Sequence, residues 1–183
     1  MAFTRAELAS FAGRTIPDLV PDDLRLLFVG INPGLVSAAT GMHFARPGNR
    51  FYPALRVAGV LADDVMTPER AAPALLAQGV GITNIVARAS ARADELDDEE
   101  LLLGRERLEA FIHEHRPRVV AFAGITSYRI AFAEKKARPG LQERTIAGAQ
   151  VWVVPNPSGL NAHETVTTLA EAYRAAAAAA EIL

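Results

Sequence analysis

Leu26-Leu27-Phe28-Val29-Gly30-Ile31-Asn32-Pro33-Gly34 is the stretch whose reading decides the fold. Four apolar residues run into a Gly, an Asn and a Pro-Gly pair, the pattern of a buried strand that ends abruptly in a tight loop. Open α/β sheets bind ligands in the crevice beyond their strands' carboxyl ends, so the lone polar side chain there, Asn32, is a candidate for chemistry rather than packing. Val151-Trp152-Val153-Val154 leads in the same way into Pro155-Asn156-Pro157-Ser158-Gly159-Leu160-Asn161. Two such loops facing one crevice make a site.

Outward from that stretch, strands and helices alternate. Thr4 and Glu7 have capping-box spacing for a short helix over residues 5–11, and Thr67-Pro68 opens a helix that lasts to about Gln78. Val80 to Val86 reads as the second strand, and Asp97 caps a helix that runs until Pro117. Val119 to Ala123 is the third strand, followed by a helix over Thr126–Lys136. Thr145 to Val151 reads as a hairpin feeding the fourth strand, and a last helix runs from Glu164 through six consecutive alanines. The expected fold class is a three-layer α/β/α arrangement: a central four-stranded, mainly parallel sheet, with room for one antiparallel edge strand. Residues 1–183 are expected to form one domain.

Composition narrows the chemistry. The chain has no cysteine, which excludes disulfides, thiolate nucleophiles and cysteine metal sites and suits a reducing cytoplasm. Its apolar runs are strand-sized and Met1 to Glu7 lacks a basic region before an apolar core, so neither signal peptide nor membrane span is expected. A net charge of −2 weighs against broad charge-driven binding to nucleic acid, yet Arg46, Arg50 and Arg56 form a local patch free of acids. Gly30 to Gly34 matches no nucleotide-binding glycine pattern and has no Lys for a phosphate. His43, His113, His115 and His163 are scattered and read as surface histidines, with no metal site and no cofactor expected. There is no G-x-S-x-G elbow for a serine hydrolase.

Four motifs in order, Gly-Ile-Asn-Pro-Gly-Leu at 30–35, Asn-Arg-Phe at 49–51, Gly-Ile-Thr-Asn at 81–84 and Asn-Pro-Ser-Gly-Leu at 156–160, resemble the mismatch-specific uracil-DNA and thymine-DNA glycosylases. The resemblance covers residues 26–173. It implies metal-free hydrolysis of the N-glycosidic bond of uracil opposite guanine in double-stranded DNA, by a monomer of the prokaryotic, nucleoid-associated kind. Thymine and other damaged bases stay open as substrates, since they depend on clearance near Ala38, Ala39 and Phe44.

The motifs then carry roles residue by residue. Asn32 would orient the attacking water, and because a neutral amide cannot take a proton, Asp94 is the candidate base. Backbone amides around Ile31 and Gly34 would support the departing uracil anion. Phe44 stands where the family stacks an aromatic ring on the base, and Asn84 would read its edge, with a core Phe and a turn Asn as the structural alternatives. Leu160 would fill the gap left by the flipped nucleotide, or is an exposed loop Leu without a role. Asn156, Ser158, Gly159 and Asn161 would meet the widowed guanine or nearby phosphates. Some relatives place Arg two residues after the wedge, where this chain has Ala162, so phosphate contact falls to His163, Arg46 or Arg50. A non-catalytic DNA-binding module and a small-molecule nucleoside hydrolase are the rival readings.

Overall fold

The computed structural model describes residues 3–183; Met1 and Ala2, which open the amino-terminal stretch read above, lie outside the described residues. A five-stranded sheet in the order β2-β1-β3-β5-β4 is formed by β1 (Leu26–Gly30), β2 (Val80–Asn84), β3 (Val119–Ala123), β4 (Gly140–Ile146) and β5 (Ala149–Val154). β1 lies between β2 and β3, both parallel to it, and β3 pairs parallel with β5. β4 alone runs antiparallel, along β5. These are the four expected parallel strands plus the antiparallel edge. The hairpin turn has positive φ at both Ala147 and Gly148, the geometry whose twist matches that of paired strands. β4 begins at Gly140 rather than at the expected Thr145, and its register with β5 shifts between Leu141 and Thr145.

Helices cover both faces. α3 (Phe51–Val57), α4 (Pro68–Ala77) and α7 (Val166–Ala179) bury one core, in which Leu26, Phe28, Val80 and Ile82 meet Phe51, Leu55, Leu75 and Tyr173. α5 (Asp98–His115) and α6 (Ile125–Ala131) bury the other, where Leu27, Val29, Val120 and Phe122 meet Leu108, Ile112 and Tyr128. Alternate residues of β1 thus enter opposite cores, which is why the strand is apolar throughout. α1 (Arg5–Ala9) and α2 (Leu35–Thr40) flank the sheet's carboxyl edge, and among the described residues no helix is long and apolar enough to cross a membrane.

Three helices differ from their expected bounds: α1 ends at Ala9 instead of residue 11, and α6 and α7 differ for local reasons. α6 stops at Ala131 because Ala133 takes a left-handed φ of 54° and the Arg129 guanidinium binds the Ala137 carbonyl, at 2.6 and 3.0 Å, turning the chain away. α7 starts after Thr165, whose hydroxyl accepts from Thr168 N–H and so sets the N-cap past Glu164.

β2 ends against α5. A Cβ on Gly104 would stand 2.3 Å from the Ile85 carbonyl oxygen, so only glycine lets α5 lie this close to the loop leaving the sheet. Alanine inside a helix ordinarily adds about 1 kcal/mol of stability over glycine, but the forced overpacking here costs about 1–3 kcal/mol. Gly104→Ala should therefore lower rather than raise Tm, by about 5 °C, as read by calorimetry.

Candidate active site

The carboxyl ends of β1, β2 and β3, with the loop after β5, enclose a cavity of about 370 Å³. Its wall holds Ile31, Asn32, Gly34, Phe44, Arg46, Asn84, Asp94, Asn156, Ser158 and Leu160 together. Chain segments more than 120 residues apart in sequence meet there because parallel strands present all their carboxyl ends on one side.

Asn32 is held by its amide nitrogen. Nδ2 donates to the Arg88 carbonyl at 3.0 Å and to Ser90 Oγ at 2.8 Å. Ser90 Oγ in turn donates its one hydrogen to the Arg92 carbonyl at 2.7 Å, so it can only accept from Asn32. Both hydrogens of the amide are used. Asn32 Oδ1 accepts no hydrogen bond from the described residues, and the side chain lines the cavity. The loop that supplies these partners is braced by Arg88, whose guanidinium grips Glu100 in α5 and holds that carboxyl low, at about 2.

A second wall is aromatic and amide. Phe44 sits in a left-handed conformation, φ 53°, and stacks on Phe51 with ring centroids 4.1 Å apart. Gly30, opposite Asn84 in the sheet register, makes room for it: a Cβ there would lie 2.5 Å from Asn84 Oδ1 and 3.3 Å from Phe44 Cζ. Asn84 Nδ2 stands 3.4 Å from His43 Nδ1. His43 is not the surface histidine expected from its isolation in the sequence: it is buried, with Nε2 3.0 Å from the Pro17 carbonyl. Burial pushes its pKa down, against smaller upward effects of that hydrogen bond and of Asp18.

The third wall is the loop after β5, which braces itself. Asn156 Oδ1 accepts from Ser158 N–H, Ser158 Oγ from Leu160 N–H, and Asn161 Nδ2 donates to the Asn156 carbonyl. Asn161 N–H goes to the Ser158 carbonyl. The backbone amides of Ser158 and Asn161 are thus bonded inside the loop, whereas Gly159 N–H makes no hydrogen bond to the described residues. Gly159 also lies against Gly48, whose carbonyl oxygen would be 2.6 Å from a Cβ. Leu160 projects at the rim, 74% exposed.

Arg50 is turned onto the protein itself. Its guanidinium donates to the carbonyls of Ser158, Asn161 and Glu164, and its backbone N–H to the Pro157 carbonyl at 2.9 Å, so it clamps the Leu160 loop. Arg46 is exposed and makes no side-chain bond to the described residues, leaving it as the free cation of the wall. Asp94, on the short turn Ala93–Glu95, is exposed and paired with Arg92. Ser37, not Ala38 or Ala39, lines the cavity beside Phe44. Among the described residues no three His, Asp or Glu side chains gather to hold an ion.

A family model described as the uracil DNA glycosylase superfamily matches residues 17–179. The chain belongs to the uracil DNA glycosylase superfamily. The fold is similar to the solution NMR structure of a provisionally assigned uracil DNA glycosylase from Methanosarcina acetivorans, at a TM-score of 0.62 and 17% identity, covering 93% of this chain and 98% of that one. Membership makes the chain a uracil DNA glycosylase-type enzyme, a hydrolase of N-glycosidic bonds that acts on DNA. The sequence motifs missed Ser90 and His43. Ser90 carries no motif of its own, whereas His43 had one signal, its place beside Phe44 in a loop already assigned to the site.

His43 gives the superfamily member a pH-dependent stability. The fold favours the neutral ring, so below about pH 6.5 the unfolded chain binds a proton that the folded chain refuses, and stability falls as pH falls. The Arg88–Glu100 pair adds its own loss only lower, between about pH 4.5 and 2. Melting followed from about pH 8 to 5 should show Tm dropping below about pH 6.5. In His43→Asn that part of the slope should vanish; an unchanged slope would place the titrating group elsewhere.

Proposed function

We propose that this protein excises uracil from mismatched duplex DNA by flipping the nucleotide into the cavity, leaving an abasic site. The observation that carries the reading is Asn32, whose Nδ2 is bound twice so that Oδ1 faces the cavity as a lone acceptor. A water donating one hydrogen to Oδ1 has its oxygen lone pair directed away from the amide, toward C1′ of the flipped nucleotide.

The reaction breaks the C1′–N1 bond, and its electron pair leaves with the base. C1′ takes on oxocarbenium character, which needs little help from a base because the electrophile is already highly reactive. The water oxygen bonds to C1′ and its proton is lost as the sugar becomes the abasic hemiacetal. Asn32 orients that water and does not take the proton. Asp94, the one carboxylate among the described residues of the cavity wall, is assigned the proton and the stabilisation of positive charge at C1′. Backbone amides of the Ile31–Gly34 loop face the leaving base, where anionic charge develops.

Around this centre, Phe44 stacks on the flipped base, Asn84 reads its edge, and Leu160 enters the vacated stack. Gly159 N–H and Asn156 face the widowed guanine, and Arg46 meets a phosphate. Thymine shows the same edge as uracil and adds one methyl group, so G·T belongs in the assay beside G·U. One copy of the chain suffices and no metal is needed.

The assay is a labelled G·U duplex incubated with the protein and then treated with alkali, which cleaves abasic sites. Strand scission is expected, and a protein inert on both duplex and single-stranded uracil would overturn the proposal. Asn32→Ala should lower the single-turnover rate by about 100-fold or more, the scale of removing one preorganised polar group. Leu160→Ala should slow duplex excision about tenfold while sparing single strands, because only a duplex has a gap to fill. Should Asp94→Asn keep the full rate, the proton passes directly to solvent and Asn32 works alone.

A further inference from the structure

The connector before β1 runs beside the outer edge of β2, where Leu19 and Ile82 exchange backbone hydrogen bonds of 2.9 and 2.8 Å. That pairing carries the Pro17 carbonyl to His43 Nε2, 3.0 Å away. A carbonyl oxygen accepts and never donates, so Nε2 carries the hydrogen. Burial keeps a second proton off the ring. Nδ1 is therefore an acceptor, and the atom facing it at 3.4 Å must be the donor Asn84 Nδ2. Asn84 Oδ1 is then left beside Gly30 at the cavity wall, taking no hydrogen bond from the described residues. The backbone cannot turn instead, because Arg107 binds the Asn84 carbonyl at 2.6 Å.

The geometry points to His43 as a specificity-determining positioning residue: through Nδ1 it fixes which way round the Asn84 amide faces a pyrimidine's positions 3 and 4. This rests on reading the cavity as a base-binding pocket. Uracil offers an N–H at position 3 and a carbonyl at position 4, whereas cytosine offers a bare nitrogen and an amino group. An amide that fits one edge sets acceptor against acceptor and donor against donor on the other. Free to turn, Asn84 would serve both bases. Locked, it serves uracil.

The groups around the ring support one state at neutral pH. Asp18 on the connector accepts from Thr83 Oγ1 at 2.6 Å and lies 3.9 Å from Arg107, and Tyr52 donates to the His43 carbonyl at 2.8 Å. A proton added at Nδ1 would face a donor and turn the amide round. Discrimination should hold at and above neutral pH and decline well below the usual imidazole range, near pH 6.5.

The probes are duplexes carrying 2′-fluoro-deoxyuridine or 2′-fluoro-deoxycytidine opposite an abasic-site analogue. The fluorine resists cleavage, so recognition is read apart from excision, and the analogue removes base pairing from the comparison. The parent should prefer the uridine duplex by about tenfold or more in Kd, the value of one mismatched buried hydrogen bond. His43→Leu should bring the ratio to within about twofold, while His43→Asn, whose amide oxygen can stand in for Nδ1, should keep it. In the Asn84→Ala background His43→Leu should change the ratio no further, which a merely structural role would not predict. Nitrogen NMR of the parent's ring should show hydrogen on Nε2. Hydrogen on Nδ1, or a parent-like ratio in folded His43→Leu, would overturn the lock. If His43→Leu does not fold, the ring spectrum and His43→Asn decide. A parent that binds with this ratio yet excises no uracil would overturn the excision proposal and uphold the lock.

Discussion

Gly30 stands opposite Asn84 across the β1–β2 pair, and the absence of a side chain there is the constraint on which the site depends. A Cβ would collide with the Asn84 amide and press on the Phe44 ring. Both groups approach the strand at the point where β1 stops being core and becomes cavity wall. The requirement propagates along the chain. Phe44 reaches its place through a left-handed turn and is held there by Phe51, which belongs to the core beneath. Strain in that turn is tolerated because the stacking and the buried His43 beside it define the loop on both sides.

Two loops that sequence separates widely are made into one rim by Arg50. Three of its hydrogen bonds end on carbonyls of the segment Ser158–Glu164, and its backbone N–H ends on Pro157. The arrangement leaves Arg50 Nε buried without a partner, a cost that the four other bonds offset. An exposed leucine is expensive to present to water but cheap to present on a braced loop, since little conformational freedom remains to be lost on binding. Arg50 thus fixes the loop that carries Leu160.

β1 and β3 were legible because each is apolar without a break and runs into Gly, and β5 because Val151 to Val154 runs into Pro155, the mark of a parallel strand meeting its loop; β4, with Gln142, Glu143 and Arg144 on an antiparallel edge, was legible only at its end. The helix starts were legible through Thr4, Thr67 and Asp97, whose caps have fixed spacing. Ends were less so: α6 is cut short by a left-handed Ala133 that no propensity marks. Within the site, Asn32 stood out as the one polar side chain on its loop. What sequence could not carry was where hydrogen bonds go. Arg50 and Arg46 look alike in one basic run, yet one is spent on carbonyls and the other is free. His43 looked solitary because its partners, Pro17 and Asn84, come from a connector and a strand that meet it only in three dimensions.

That difference among arginines bears on how a chain of net charge −2 meets DNA. Arg50 holds the Leu160 loop, Arg88 holds Glu100, and Arg92 is paired with Asp94. Only Arg46 faces the cavity mouth without a partner among the described residues. Each phosphate neutralised by a cation releases counterions and steepens the dependence of affinity on salt. A rim with one free cation gains little from that source. On the proposed reading, binding then draws more on surface that fits, meaning Leu160 in the stack and Phe44 against a base, and on backbone amides that carry no net charge. Such contacts form fully only where a nucleotide leaves its pair easily. A mismatched base is already the least costly to extrude. If the proposed excision from mismatches holds, weak attraction to the backbone works in favour of selectivity, because intact duplex then offers few contacts.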